Sequence, residues 1–442
     1  MNLRRWLRPG MGVKRWLGVV FVAELGLALA LAFLLRQFYR DVTVDGPLQA
    51  VLSLLTLQFL PYGVRGLVLA AVGLALFLFG SYRLLRVLTD PFRRPDVDTP
   101  FVEVIYQKRF LARGPRVVAI GGGTGLSTLL RGLKEHTSNL TAVVTVADDG
   151  GSSGKLREQL GVPAVGDIRN CIVALADAEP LMGRLLQYRF AGEEVPESLA
   201  GHAVGNLLIA ALTAVEGGDF EEGVRQMNRV LAVRGQVLPV SPTPVTLHAR
   251  CRDGRIVDGQ SLITRTEGIE RVWTTPTEVR ASDDALRAIG EADLIVLGPG
   301  SLYTSILPSL LMPEIRGAVL ASAALRVYVC NVATQRGETA GLDLADHIDA
   351  LLSHTQLGIV DIVLANNRLE ATVPESWGGR PVALRWPPAD GLGPGVPRLV
   401  LDDVVDPDHA HHHDPGLLAA SLMRLYEQEG RHPGSSGVAR SA

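Results

Sequence analysis

The sequence has 442 residues, of which 47% are hydrophobic, 20% are charged and 5% are aromatic. These proportions exclude a disordered chain, a collagen-like repeat and a disulfide-stapled mini-protein, and they leave room for one large or two medium domains. The 43 Lys and Arg against 46 Asp and Glu give a net charge of -3, so no basic field predicts nucleic-acid binding. The cysteines Cys171, Cys251 and Cys330 are too few and too widely spaced to predict a disulfide framework or a zinc site.

Residues 1–90 carry most of the apolar excess and predict a membrane anchor. Residues 16–35 contain Glu24 as their only charge, and at about 1.5 Å per residue they span about 30 Å, the thickness of a bilayer core. Residues 63–82 form a second apolar run, so we predict a hairpin of two transmembrane helices. A cleavable signal peptide is the alternative for the first run, because basic residues precede it. The length of that run and the presence of the second favour the hairpin.

Basic residues at the two outer ends of the hairpin predict its orientation. Five Lys or Arg residues precede the first run and four follow the second, whereas the connecting loop balances Arg36 and Arg40 with Asp41 and Asp45. The positive-inside rule therefore predicts a two-span protein of the cell membrane with both termini and the globular domain in the cytoplasm. Glu24 either contacts the second helix or marks a functional group inside the membrane.

A linker at 91–115 precedes a region in which short apolar segments alternate with helical patterns. Strands are predicted at 116–120, 140–147, 293–297, 326–330 and 360–364. This alternation predicts an α/β domain at 116–427, with a Rossmann-like, doubly wound and mostly parallel sheet whose ligands gather at the carboxyl ends of the strands. Residues 371–400 are rich in Pro and Gly and are predicted to be irregular. The tail at 428–442 is predicted to be disordered.

The first candidate binding motif is a glycine loop after the first predicted strand. Its glycines let the backbone approach an anion closely, and a helix N-terminus with a threonine hydroxyl can hold a phosphate. The spacing matches neither a Walker loop nor the usual dinucleotide fingerprint, so phosphate contact and tight packing both stay open. The candidate residues are Gly121, Gly122, Gly123, Thr124 and Gly125.

The second motif places carboxylates and small residues after the second predicted strand. Adjacent carboxylates repel each other unless a cation or a hydroxyl-rich ligand offsets their charge. A third carboxylate, Asp167, follows downstream with Arg169, whose guanidinium suits phosphate. The alternative is that Asp167 caps a helix and Asp148 is solvated. The candidate residues are Asp148, Asp149, Ser152, Ser153, Asp167, Arg169 and Asn170.

Two later loops also follow predicted strands. A glycine turn with hydroxyl residues comes after 293–297 and predicts a second anion or sugar contact. Amide and hydroxyl groups after 326–330 suit the recognition of a base or a ribose. The candidate residues of these two loops are Gly298, Gly300, Ser301, Tyr303, Thr304, Asn331, Thr334 and Gln335.

Histidines occur at two further places of interest. His202 and Asn206 open an apolar helix, where His202 is either a general acid or base or a hydrogen-bond partner near the helix cap. A cluster at 409–413 contains four histidines between Asp408 and Asp414. It predicts either a metal site or, in preference, an exposed loop.

Six motifs in a fixed order carry a resemblance to a known family. They read GGGTGLSTLLRGLK, TVADDGGSSGKLR, GDIRNCIVALAD, GHAVGNLL, LGPGSLYTSILP and CNVATQRGET. In this order they closely resemble the gluconeogenesis factor family (YvcK type), which is related to 2-phospho-L-lactate transferase (CofD type), over about 116–427. The resemblance implies a Rossmann-like fold, binding of UDP-N-acetylglucosamine, and regulation of cell shape, envelope synthesis and carbon use under gluconeogenic growth. It also implies a protein partner in envelope synthesis and a homo-oligomer.

The resemblance further implies roles for single residues and leaves the activity open. The transferase relatives hold a divalent cation with two carboxylates, which implies Mg²⁺ at Asp149 and Asp167, and Tyr303 resembles a nucleotide-sugar contact. One hypothesis is a membrane-tethered regulator that binds the UDP-sugar. The other is a Mg-dependent transferase of a phosphoryl-linked group, with Asp149, Asp167 and His202 as candidate catalytic residues. A NAD-linked oxidoreductase is disfavoured because the glycine spacing is wrong.

Overall fold

The computed structural model describes residues 111–176, 180–192, 194–370, 373–386 and 395–429, together with isolated positions between 21 and 82. The chain divides into two compact units, 1–110 and 111–442. Among the described residues, none of the helices combines the length and the apolar character that a membrane span requires. The described positions within 16–35 and 63–82 are helical. Most of the predicted hairpin, residues 91–110 of the predicted linker and residues 430–442 of the predicted tail lie outside the described residues.

The described residues of the second unit form ten strands joined mainly by α-helices. The strands are β1 (Val117–Gly121), β2 (Leu140–Val144), β3 (Gln236–Pro239), β4 (Thr246–Cys251), β5 (Ile256–Asp258), β6 (Ile269–Thr275), β7 (Leu294–Leu297), β8 (Leu325–Val329), β9 (Ile362–Asn366) and β10 (Arg398–Asp402). The α-helices are α1 (Gly123–Leu133), α2 (Gly151–Leu160), α3 (Gly166–Leu175), α4 (Pro180–Gln187), α5 (Val204–Val215), α6 (Phe220–Val230), α7 (Gln260–Ile263), α8 (Asp283–Glu291), α9 (Leu307–Leu310), α10 (Pro313–Ala321), α11 (Leu344–His354) and α12 (Pro415–Glu429). A π-helical turn, Leu302–Ile306, follows β7, and a 3-10 turn, Glu375–Trp377, lies in the loop between β9 and β10.

Seven strands form one parallel sheet in the order β10-β9-β8-β7-β1-β2-β3. β1 pairs with β7 on one side and with β2 on the other, so the strand order reverses at β1. In open α/β sheets, ligands bind outside the carboxyl ends of the strands at such a reversal. The predicted Rossmann-like α/β domain with a parallel sheet is therefore confirmed.

The strands that the sequence analysis missed lie at the edges of the sheet or outside it. β4, β5 and β6 form a separate antiparallel sheet in the order β5-β4-β6. The prediction that 371–400 are irregular is wrong at its C-terminal end, because β10 begins at Arg398 and pairs with β9. β10 is an edge strand with no fully buried residue, so it lacks the continuous apolar run that marks a strand buried on both faces.

The core lies on both faces of the main sheet. β1, β2 and β7 are buried along their whole length, and α1 buries four leucines at helical spacing, Leu126, Leu129, Leu130 and Leu133. At Gly132 a Cβ would lie 1.9 Å from the carbonyl oxygen of Pro415, so this glycine allows α12 to pack directly on α1. The three cysteines are free and buried.

Candidate functional site

The glycine loop between β1 and α1 lines a cleft of about 210 Å³ at the carboxyl edge of the sheet. Gly122 has no room for a side chain, because a Cβ would lie 2.5 Å from Oδ2 of Asp167 and 2.8 Å from Cγ2 of Thr145. The backbone N–H of Gly123 lies near the Asp167 carboxylate and lowers its pKa, against the larger effect of burial. Thr124 and Gly125 line the cleft beside them. Tight packing and an open surface that faces a ligand, the two alternatives for this loop, therefore coexist in it.

The two adjacent aspartates after β2 point to different neighbours. Asp148 lines the cleft with Asp167, and its Oδ1 accepts the amide of Gly150 at 2.9 Å. Asp149 turns toward α7, where its Oδ1 accepts the amide of Ser261 at 2.8 Å, and it lines neither the cleft nor the cavity described below. The implied pair of Asp149 and Asp167 is therefore not the pair that shares the cleft. The carboxylates that meet there belong to Asp148 and Asp167.

The two carboxylates bind protons more tightly than solvated carboxylates do. Burial and the nearby charge of Asp148 raise the pKa of Asp167 to about 7, and burial also raises the pKa of Asp148. Near neutral pH the pair therefore holds less negative charge than two solvated carboxylates would. The described residues contain no group of three or more His, Cys, Asp or Glu side chains placed to hold a metal ion. Two carboxylates still fit Mg²⁺, which binds through one or two carboxylates and completes its shell with water and ligand phosphates.

The loops after β7 and β8 also line the cleft. The amide of Gly300 donates to Oδ1 of Asn331 at 3.3 Å, and the hydroxyl of Ser301 donates to Oε1 of Gln335 at 2.8 Å. These four residues all line the cleft, as predicted. Their hydrogen bonds join the two loops, so the polar groups presented to a ligand are held in fixed positions.

Three other candidates in these loops are buried beneath the surface of the cleft. Tyr303 is 4% exposed, and the centre of its ring lies 5.9 Å from that of His354. The hydroxyl of Thr304 donates to Oε2 of the buried Glu338 at 2.9 Å, and Thr334 is also buried. The side chains of Tyr303, Thr304 and Thr334 do not line the cleft. They support the loops that do, and Gly121 and Gly298 likewise lie behind the cleft at strand ends.

An aromatic wall, defined as Trp377, His411 and His412, completes the cleft. The centre of the Trp377 ring lies 4.6 Å from that of His411, which in turn lies 4.1 Å from that of His412. Nε1 of Trp377 donates to the carbonyl of Thr334 at 3.0 Å, and Nε2 of His413 donates to that of Cys330 at 3.2 Å. The preference for an exposed histidine loop is therefore corrected: its last three histidines line the cleft, and His413 is buried. Burial lowers the pKa of His413 to about 4.

Sequence reasoning missed several residues of the cleft. The histidines were recognised as a cluster but not as part of the cleft, and Trp377 could have been noticed because two glycines follow it. None of the described residues that line the cleft is a Lys or an Arg. The predicted residues that line the cleft are Gly122, Gly123, Thr124, Gly125, Asp148, Asp167, Gly300, Ser301, Asn331 and Gln335, and the missed ones include Thr128, Gln260, Ser305, Trp377, His411, His412 and His413.

The remaining candidates line a second cavity of about 250 Å³ or lie behind it. Ser152, Ser153, Arg169 and Asn170 line this cavity, which shares Asp148 and Asp167 with the cleft. We call it the arginine cavity.

His202 lies behind the arginine cavity and contacts it only through Ser152. Oγ of Ser152 accepts hydrogen bonds from Nδ2 of Asn206 at 3.0 Å and from the amide of Ala203 at 3.3 Å. Its own proton is therefore donated to Nδ1 of His202, 3.2 Å away, which leaves the histidine neutral. Burial also lowers the pKa of His202. This arrangement favours the role of a hydrogen-bond partner over that of an acid or base in contact with a ligand.

Comparison with known proteins places the chain in a family. It matches the family model described as 2-phospho-L-lactate transferase CofD over residues 117–377. The gluconeogenesis factor of Bacillus subtilis is 49% identical over 258 residues, which are 58% of this chain and 80% of that protein. A gluconeogenesis-factor relative from Nostoc sp. (strain PCC 7120) is 43% identical over 436 residues, which are 96% of this chain and 92% of the relative. The crystal structure of a UPF0052-family protein from Bacillus halodurans superposes with a TM-score of 0.65 at 42% identity and covers 70% of this chain and 99% of that protein. The chain therefore belongs to the gluconeogenesis factor (UPF0052, YvcK-type) family and contains a CofD-like domain.

Proposed function

We propose that this protein binds UDP-N-acetylglucosamine in the cleft and acts as a ligand-dependent regulator of cell shape, envelope synthesis and carbon use under gluconeogenic growth. One observation carries the proposal: the cleft joins a glycine loop at a helix N-terminus, amide and hydroxyl groups, and an aromatic wall. These are the chemical groups that recognise the phosphate, sugar and base of a nucleotide sugar, respectively.

Each part of such a ligand has matching chemistry in the cleft. The backbone of Gly123 and Thr124 at the start of α1 suits a phosphate oxygen. The amide groups of Asn331 and Gln335 can both donate and accept hydrogen bonds, as sugar hydroxyls and a uracil edge require. Trp377 offers a ring face for stacking. The cleft therefore accounts for a ligand that combines an anion with rings and hydroxyl groups.

Mg²⁺ is the cofactor that this donor set fits, with Asp148 and Asp167 as the residues that would hold it. When bound, the cation would offset the charge of a diphosphate in a cleft that has no Lys or Arg of its own. The same carboxylate pair supports the second candidate, a Mg-dependent transferase of a phosphoryl-linked group. The full-length chain would then form product from a nucleotide-linked donor and an acceptor in the presence of Mg²⁺, and Asp167→Asn would abolish that product. Failure to turn over any donor would exclude this candidate.

The membrane anchor is part of the proposal and rests on residues 1–90. The Nostoc relative is aligned over 96% of this chain, which extends the similarity well beyond residues 117–377. A membrane hairpin would keep the regulatory domain beside an envelope-synthesis partner at the cytoplasmic face, as a monomer or a homo-oligomer. We expect the full-length protein to stay in the membrane pellet after a carbonate wash. Its release into the supernatant would overturn the anchor and leave the ligand proposal intact.

Titration calorimetry tests the ligand directly. The full-length chain in a mild detergent is titrated with UDP-N-acetylglucosamine, and in parallel with UMP, free N-acetylglucosamine and NAD, each with and without Mg²⁺. We expect saturable heat for the UDP-sugar, weaker binding for its fragments and none for NAD. Absence of binding to the UDP-sugar together with saturable NAD binding would contradict the proposal.

A further inference from the structure

The arginine cavity contains a buried positive charge that has no hydrogen-bonded carboxylate partner among the described residues. Arg169 is 6% exposed and lines the cavity. Its Nη1 donates to Oδ1 of Asn206 at 3.0 Å and its Nη2 to Oδ1 of Asn170 at 2.8 Å, so both partners are neutral amides. Its Nε is buried and has no hydrogen-bond partner in the part of the chain that the structure describes. A buried guanidinium without an anionic partner is costly, because it has lost its hydration without gaining a counter-charge.

A second guanidinium lines the same cavity. Nη1 of Arg189 donates to the carbonyl of Gly201 at 3.1 Å, and among the described residues Arg189 has no ion pair with a carboxylate. The two guanidinium groups line the same cavity, and like charges placed this close repel each other. Asp148 and Asp167 counteract this effect from the edge that the cavity shares with the cleft, but neither accepts a hydrogen bond from Arg169.

Beside the two arginines, the backbone N–H groups of a helix N-terminus suit an anion. The cavity includes Gly151, Ser152 and Ser153, which form the first turn of α2, and this turn contains no acidic residue. Helix N-termini favour negative charge, and guanidinium groups bind phosphoryl oxygens with paired hydrogen bonds. An anion held here would use the free Nε of Arg169 and would remove the repulsion between the arginines.

We propose that the arginine cavity is an anion subsite that takes a phosphoryl group, next to the cleft and separated from it by Asp148 and Asp167. The phosphoryl group belongs either to the diphosphate of a ligand in the cleft or to a second phosphorylated ligand. The subsite does not depend on which nucleotide occupies the cleft, since its evidence comes from the arginines and their unpaired donor.

Inorganic phosphate is the probe for this subsite. The full-length chain is titrated with phosphate at constant ionic strength, with chloride as the balancing salt, and with and without Mg²⁺. Arg189 is exposed, so Arg189→Gln is expected to fold normally and to weaken phosphate binding about tenfold or more, the loss typical of one charge-assisted hydrogen bond. Arg184→Gln is the matched control, because Arg184 is an exposed arginine on α4 that lines neither cavity. It is expected to leave phosphate binding unchanged.

A second variant addresses the buried arginine. Arg169→Lys keeps the positive charge but loses the fork of donors, and circular dichroism establishes whether it folds. If it folds, we expect it to weaken phosphate binding at least as much as Arg189→Gln. The proposal is overturned if the wild-type chain binds no phosphate, or if phosphate binds equally to wild type, Arg189→Gln and Arg184→Gln.

Competition identifies the source of the phosphoryl group. Displacement of phosphate by UDP-N-acetylglucosamine would show that the diphosphate of the cleft ligand reaches the subsite. Simultaneous binding would show that the subsite serves a second phosphorylated ligand. If the UDP-sugar does not bind at all, the proposed function fails, whereas arginine-dependent phosphate binding would still support the subsite.

Discussion

Replacement of Asp167 by Asn tests the electrostatics of the cleft through protein stability. The pKa of this carboxyl is raised from 3.8 to about 7, chiefly by burial. In the unfolded chain it ionises near pH 4, whereas the folded chain retains the proton up to about pH 7. The folded state therefore loses stability as the pH rises between these two values. At about 1.4 kcal/mol for each tenfold change in proton affinity, the loss reaches about 4 kcal/mol at pH 8.

Asn at position 167 keeps the shape of the carboxyl group but carries no charge. We therefore expect Asp167→Asn to be more stable than wild type at pH 8 and its advantage to shrink by about 3 kcal/mol at pH 5. Urea unfolding of the full-length chains, followed by tryptophan fluorescence at both pH values, measures the difference. Asp349→Asn, at an exposed position on α11, is the control and should show no such pH dependence. A variant that is equally or less stable than wild type at both pH values would refute the assigned charge balance.

Two further predictions concern buried contacts near the cleft, and a third concerns an exposed glycine on a helix. Gly122→Ala should lose about 1–3 kcal/mol of stability, since its Cβ would collide with Asp167, and UDP-sugar binding should fall with it; an unchanged melting temperature would contradict this. Gly290→Ala, at an exposed helix position with open space around the Cβ, should instead gain about 0.5–1 kcal/mol. Burial raises the pKa of Glu338 to about 7, so Glu338→Gln should gain about 3 kcal/mol at pH 8 and much less at pH 5 in the same unfolding assay. Equal effects of this variant at both pH values would count against it.

The sheet could be predicted from sequence where its strands are buried on both faces. β1, β2, β7, β8 and β9 each contain a continuous apolar run, and a run of this kind is long enough to recognise without any tertiary information. β3 and β10 are the end strands of the sheet, and β10 is partly exposed along its length. Edge strands depend on a single neighbour, so their position follows from the assembled sheet and not from their own sequence.

Most of the predicted residues of the candidate site directly follow a recognised strand, and Asp167, at the start of α3, is the exception. The glycine loop and the loops after β7 and β8 met this condition. Trp377 and His411 lie 34 residues apart and meet because the chain returns to the same edge of the sheet through β10. The sequence could not show that Asp148, and not Asp149, lines the cleft. This difference depends on the amide of Ser261, which is distant in sequence and donates to Asp149.

The membrane anchor, the ligand and the regulatory role stay predictions. The family and the fold are established by the comparisons and by the sheet. The cleft supplies the chemistry from which the ligand is proposed, and the arginine cavity extends that chemistry toward a phosphoryl group.

The most direct test of the central claim is the affinity of UDP-N-acetylglucosamine for two tryptophan variants of the full-length chain. Trp377 lines the cleft, whereas Trp273 lies on β6 and lines neither cavity. Because stacking of a ring on an aromatic side chain contributes about 1–3 kcal/mol, Trp377→Ala should weaken binding about tenfold or more. Trp273→Ala should bind as wild type does. Equal affinity of wild type and both variants, or no binding by wild type, would contradict the account.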